Sequence, residues 1–149
     1  MEITEFLTPD RVLLDVRARD KSQLIGEIAR NFGRLVPALR PETVDNALRA
    51  REQLGSTGLG AGFALPHARI EGLDAYLGMF LRLAKPIDFE AIDGKPVHLV
   101  FALLIPSESA TSHVAALAAI SRRFRDAGLV ANLRSAETPA AAYGVLTER

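Results

Sequence analysis
The residues of this chain best suited to chemistry are two histidines and one arginine. His67 closes the stretch "GSTGLGAGFALPH", Gly55 to His67, where four glycines are followed by a stiff Pro66. Proline fixes its own φ and drives the preceding residue into extended geometry, so Pro66 restricts where the chain delivers His67. A neutral imidazole is abundant near pH 7, can attack phosphorus through one ring nitrogen, and holds its tautomer by hydrogen-bonding through the other. The blander alternative is a loop histidine that merely caps a turn.

Arg51 lies at the end of the stripe Val44, Ala47, Leu48, Arg51, the i, i+3, i+4, i+7 pattern of a covered helical face. Its planar fork of donors matches phosphoryl oxygens. An arginine that snorkels to the helix edge fits the stripe as well. His113 shows the same anomaly at the head of Leu117, Ile120 and Phe124. It follows the strand Val97–Ile105 through "PSESATS", so it emerges at the end of a sheet, where α/β folds place their sites. A core histidine satisfied by a backbone carbonyl is the alternative. His98 falls inside that strand, on the face of Val100, Ala102 and Leu104, and receives no role.

Successive N–H groups of a glycine-rich loop can surround an anion. This loop has no lysine for a P-loop, and it follows a helix instead of opening one, against the dinucleotide fingerprint. Ser56, Thr57 and Gly58 are the nearest candidates for further hydrogen bonds to a phosphate, with turn residues as the alternative for the two hydroxyls. A metal-dependent hydrolase using His67, His98 and His113 is disfavoured, since none of them has the i, i+4 or H-x-H spacing of metal ligands. No metal and no cofactor is expected.

These residues need elements to hold them. "RVLLDV", Arg11–Val16, is short and β-rich, and Asp20 opens a helix with Leu24, Ile25, Ile28, Ala29 and Phe32 on one face. A second helix starts at Pro41 and stops at Gly55. "AYLGMFLRL", Ala75–Leu83, and "PVHLVFALLIP", Pro96–Pro106, are buried strands joined through a turn at Asp93-Gly94. A third helix spans Ala110–Asp126, and the tail forms two short helices, the last capped by Thr138 with Pro139 in its first turn. The expected fold is one α/β domain with a central mixed sheet and helices on both faces.

Composition narrows the function. The chain has 149 residues, 48% of them hydrophobic and 24% charged, enough for one good core. Eighteen basic and eighteen acidic side chains cancel, so no overall field favours nucleic acid or an anionic membrane. The absence of cysteine excludes disulfides, thiolate catalysis and zinc-cysteine sites. The opening "MEITEFLTPD" has no apolar signal core, and no run approaches ~18 apolar residues, so neither export nor membrane insertion is expected. The expected location is cytoplasmic.

Three stretches taken together, "REQLGSTGLGAGFALPH" (Arg51–His67), "PIDFEAIDGKPVHLVFALLIP" (Pro86–Pro106) and "HVAALAAISRRFRD" (His113–Asp126), resemble the enzyme IIA domains of the fructose/mannitol type of the bacterial phosphoenolpyruvate-dependent phosphotransferase system. The resemblance runs over essentially the whole chain, and "LGSTG" looks most like the nitrogen-regulatory branch. It implies that His67 accepts a phosphoryl group from the phosphocarrier protein HPr, that His113 lies beside it, and that Arg51 helps hold the phosphate. It also implies a regulator whose phosphorylation state alters its binding to targets such as potassium-uptake systems and sensor kinases. The alternative is a sugar-transport component that passes phosphate to a IIB domain. Ala68 departs from the glycine common after the histidine in that family.

Overall fold
The computed structural model describes residues 2–108 and 113–148. The chain runs β1 (Val12–Val16), α1 (Lys21–Leu35), α2 (Pro41–Gln53), β2 (Gly58–Gly60), β3 (Phe63–Ala64), β4 (His67–Ile70), β5 (Leu77–Ile87), β6 (Val97–Pro106), α3 (His113–Phe124), α4 (Ala127–Ser135) and α5 (Pro139–Thr147). Two short 3-10 turns, Ile3–Glu5 and Pro9–Arg11, precede β1; the sequence reading did not anticipate them and began that strand one residue early. The Ala110 start expected for the third helix lies outside the described residues.

Local signals set the helix ends. The Asp20 carboxylate accepts the Gln23 N–H to cap α1, Pro41 occupies the first turn of α2, and Thr138 caps α5 ahead of Pro139. The third helix ends at Phe124, short of the expected Asp126, because the Asp126 side chain accepts the N–H groups of Gly128 and Leu129 and starts α4. No helix among the described residues is long and apolar enough to cross a membrane.

The sheet is mixed, in the order β1-β5-β6-β3-β2, with β4 also paired to β6. β5 and β6 are antiparallel, whereas β1 on β5 and both β3 and β4 on β6 are parallel. β6 is thus the spine: β3 meets it at Leu99 and Val100, and β4 further along at Leu103 to Pro106. Its side chains alternate between two cores, as period two requires. Val100, Ala102 and Leu104 pack with α1 and α2, and Leu99, Phe101, Leu103 and Ile105 pack with α3, α4 and α5. The expected helices on both faces are therefore present. Phe32 of α1 is fully buried in the first core, and truncating it to alanine would cost about 3–5 kcal/mol.

His98 escapes this alternation. The N–H groups of His98 and Leu99 both donate to the Gly62 carbonyl, at 3.0 and 3.1 Å, which is the signature of a bulge. Its ring consequently lies against Gly62 and Arg134 of α4, and not with Val100, Ala102 and Leu104 as strict alternation had implied.

Candidate active site
β3 and β4 run along the same edge of β6, separated only by Leu65 and Pro66. Leu103 donates its N–H to the Pro66 carbonyl at 2.9 Å, and Leu65 donates to the Thr57 carbonyl at 2.9 Å. Pro66 has no N–H to leave unpaired in this buried step, so proline suits the position. The next residue, His67, is half-buried and opens β4 opposite Leu103.

The His67 ring is held by its own neighbour but one: Nδ1 lies 2.8 Å from the Leu65 carbonyl oxygen. A carbonyl can only accept, so Nδ1 carries the proton and Nε2 keeps its lone pair. Burial pulls the His67 pKa below its ordinary 6.5, the Leu65 hydrogen bond opposes that shift, and Arg51 and His113 lower it further against Glu52. Of the sequence-predicted residues, Arg51 and His113 are therefore both close enough to act on the charge of His67.

α2 packs against β4 and ends beside this ring. Arg51, half-buried in the last turn, donates from Nη1 to the Gly55 carbonyl at 2.9 Å. Glu52 points elsewhere: its carboxylate accepts the Thr57 N–H at 3.1 Å and the Thr57 hydroxyl, and pairs with Lys21 Nζ at 2.8 Å. Ser56 donates its hydroxyl to the Phe89 carbonyl at 2.8 Å and accepts the Gly58 N–H at 3.0 Å. Ser56, Thr57 and Gly58 thus brace the loop in this arrangement. Gly58 must lack a side chain, since a Cβ there would sit 2.8 Å from the Ala91 Cα. The remaining glycines do not gather at His67: Gly60 and Gly62 shape the β2–β3 turn near the start of β6, away from Leu103.

His113 opens α3, and Nη2 of Arg69 reaches its Nδ1 at 3.1 Å. Arg69 Nη1 also donates to the Ser107 carbonyl at 3.3 Å. Sequence reasoning passed over Arg69, although strand alternation places residues 67 and 69 on one face of β4. The network of Lys21, Glu52 and Thr57 was also missed, and no local pattern announces it. Among the described residues no cluster of three or more His, Asp or Glu is gathered closely enough to hold a metal ion.

The site therefore offers a fixed imidazole lone pair on half-buried His67, with a guanidinium and a second imidazole near enough to act on its charge, groups suited to a ligand bearing negative charge. Residues 5–149 match the family model described as "Phosphoenolpyruvate-dependent sugar phosphotransferase system, EIIA 2". The chain belongs to that family. A nitrogen regulatory protein of Bradyrhizobium diazoefficiens is 38% identical over 146 residues, covering 98% of this chain and 95% of the relative. The crystal structure of nitrogen regulatory protein IIA-Ntr from Neisseria meningitidis superposes with a TM-score of 0.90 at 34% identity, covering 97% of this chain and 99% of that one. A fructose-specific EIIABC component of Bacillus subtilis is 28% identical across 99% of this chain, which spans 23% of that longer protein. This EIIA-family chain is thus a component of a phosphotransferase system.

Proposed function
We propose that His67 of this phosphotransferase protein is the phosphoryl acceptor and that Nε2 makes the bond. The observation that carries this reading is the Leu65 carbonyl, which accepts the Nδ1–H hydrogen bond and leaves the lone pair on Nε2. As the Nε2–P bond forms, the P–N bond to the donor's histidine breaks, and the donor ring leaves as a neutral imidazole that retains its own N–H. The loose transition state spreads charge over the phosphoryl oxygens, which Arg51 and an N–H of His113 meet in this reading; their effect on the His67 pKa supports it. The donor is an HPr-like phosphocarrier protein, and the exchange takes place in the cytoplasm.

Two large apolar side chains adjoin the site and are well exposed: Leu54, 84% exposed just after α2, and Val114, 63% exposed beside His113. Such a rim suits a protein donor more than a small molecule. Phosphorylation adds about two negative charges to this half-buried surface, enough to change which partner it fits. The relatives named for nitrogen regulation favour a regulator read by its phosphorylation state, with targets among potassium-uptake systems and sensor kinases. The Bacillus subtilis relative favours a second reading, in which His67 passes the group to a IIB domain.

Incubation with enzyme I, HPr and labelled phosphoenolpyruvate, with and without a fructose- or mannitol-type IIB domain, tests both. Label that stays on this chain in the presence of IIB supports the regulator; label that moves on supports transport. A His67→Ala protein that accepts full label would overturn the acceptor assignment.

A further inference from the structure
A sizeable cleft lies away from His67. It opens between the β2–β3 turn and the corner of α3 and α4, with a volume of about 760 Å³. Phe124 lines it near the C-terminal end of α3, roughly 17 Å along that helix from His113 at 1.5 Å per residue. Its walls are apolar: Phe63 and Phe124 stack at 4.0 Å between ring centroids, and Val130 and Ala131 of α4 continue the surface. Leu59, 42% exposed, and Ile92, 79% exposed, stand on its rim. Volume and lining are those of a small-molecule site, which combines apolar walls with a few placed polar groups.

The polar side chains on its lining are those of Arg125, Arg134, Asp93 and Ser121. The Asp93 carboxylate is engaged in the turn, accepting the Ala61 N–H at 2.9 Å and the Lys95 N–H at 3.0 Å, and these bonds hold its pKa below the usual carboxylate range. The Arg125 guanidinium has no hydrogen bond or ion pair among the described residues. Arg134 is anchored instead: its Nε donates to His98 Nε2 at 2.6 Å, which leaves the two Nη groups for another partner. His98 can take this bond because the bulge turns its ring toward α4 and because Gly62, at φ +81, has no Cβ; a Cβ there would come within 2.6 Å of the ring. The accepting Nε2 requires the neutral tautomer with its proton on Nδ1. His98, which phosphotransfer does not use, thereby fixes a guanidinium at the mouth of an apolar cleft.

We propose that this cleft binds a small amphipathic anion, an aromatic or medium-chain aliphatic body bearing one carboxylate or sulfonate head. The body lies on Phe63, Phe124 and Val130, and Arg134 with Arg125 takes the head. Guanidinium recognises such oxygens through paired N–H donors, and His98 keeps one edge of Arg134 from rotating away.

The test compares two fluorescent probes with nearly the same aromatic body, 8-anilinonaphthalene-1-sulfonate and the uncharged N-phenyl-1-naphthylamine, titrated into the full chain. The sulfonate should saturate one site and be displaced by decanoate. Arg134→Gln should weaken the sulfonate about ten-fold, the loss expected for one charge-assisted hydrogen bond, and leave the uncharged probe unchanged. Ala131→Trp, at an exposed helical position where the fold tolerates bulk, should fill the cleft and abolish both. Equal response of the two probes to Arg134→Gln, unaltered binding to the Ala131→Trp protein, or failure of decanoate to compete would each overturn the proposal. None of these readouts depends on phosphorylation of His67.

Discussion
Arg69 Nη2 lies 3.1 Å from Nδ1 of His113, and this contact decides the form of the second imidazole. A guanidinium has donors only, so Nδ1 of His113 must accept and its proton must sit on Nε2. Arg69 is accordingly a positioning residue that turns His113 into a donor. Arg69→Gln should slow phosphoryl transfer about ten-fold, the scale of one charge-assisted hydrogen bond, with Arg69→Lys recovering part of the loss. Nitrogen-15 NMR of the imidazoles gives a sharper check, since His113 should drift toward a mixture of tautomers in Arg69→Gln while His67 does not. An unchanged His113 spectrum would remove Arg69 from this role.

The opposite tautomer at His67 predicts where phosphate goes. With Nδ1 donating to the Leu65 carbonyl, the label should be found on Nε2, labile in acid and stable in base. Phosphorus and nitrogen NMR of the phosphorylated chain distinguish the two ring positions, and mapping under basic conditions should place the label on the peptide carrying Pro66-His67. Attachment through Nδ1 would require the Leu65 hydrogen bond to break, and the fixed-lone-pair argument would fail with it.

The depressed pKa of His67 has a stability consequence whose sign is fixed. The unfolded chain takes up a proton near 6.5, and the native chain only at lower pH. Acid therefore favours unfolding as pH falls from 6.5 toward the native value, and above 6.5 this residue contributes no pH dependence. His98 is shifted in the same direction by burial and by Arg134, so the His67 part must be isolated. Urea midpoints of wild type and His67→Gln should diverge less as pH falls below 6.5, because only the wild type carries this penalty on top of its native contacts. Parallel curves would show that His67 titrates as it does in the unfolded chain.

Much of the scaffold could be read from the residues because its signals are local. Asp20 and Thr138 mark helix starts by hydrogen bonds three residues ahead, Pro41 marks one by its fixed φ, and the stripe Leu24 to Phe32 specifies the buried face of α1. The glycine-rich stretch was less transparent. It contains β2, β3 and β4, strands of three, two and four residues; β3 and β4 depend on pairing with β6 more than thirty positions later, and β2 pairs in turn with β3. The same distance hid the arginine that holds His113 and the bulge that turns His98 to Arg134. Residue types announced the reactive groups; a local carbonyl sets the tautomer of His67, and distant arginines set those of His113 and His98.

Glu52 illustrates how the loop is held from behind. Its side chain is 6% exposed and that of Lys21 15%, so their ion pair is largely removed from water. Glu52→Gln keeps an acceptor for Thr57 but leaves Lys21 with the 3.5 Å contact to Glu90 and the face of the Phe89 ring, 4.6 Å from its Nζ. The loss should be about 3 kcal/mol, at the lower end for breaking a buried pair, read as a shift in urea midpoint at constant slope. Because Glu52 raises the His67 pKa, its removal should also lower that pKa further. A loss no larger than that from breaking the exposed Glu27–Arg30 pair would mean that the loop does not depend on this network.

Arg51 separates electrostatic action from structural support. Its one hydrogen bond among the described residues runs from Nη1 to the Gly55 carbonyl at 2.9 Å, close to the helix end and replaceable by water, so little stability rests on it. Its charge, by contrast, acts on His67, whose pKa it lowers. Arg51→Ala should therefore raise the His67 pKa, shift the urea midpoint only slightly, and slow phosphoryl transfer by ~10²–10³, the range for deleting one preorganised electrostatic donor. Arg51→Lys keeps the charge without the planar fork and should fall between the two. Initial rates of label uptake from HPr, alongside an NMR titration of His67, distinguish the possibilities. Full transfer by folded Arg51→Ala would return this arginine to the helix edge as a snorkelling residue, and the phosphate would have to be met by His113 and backbone donors alone.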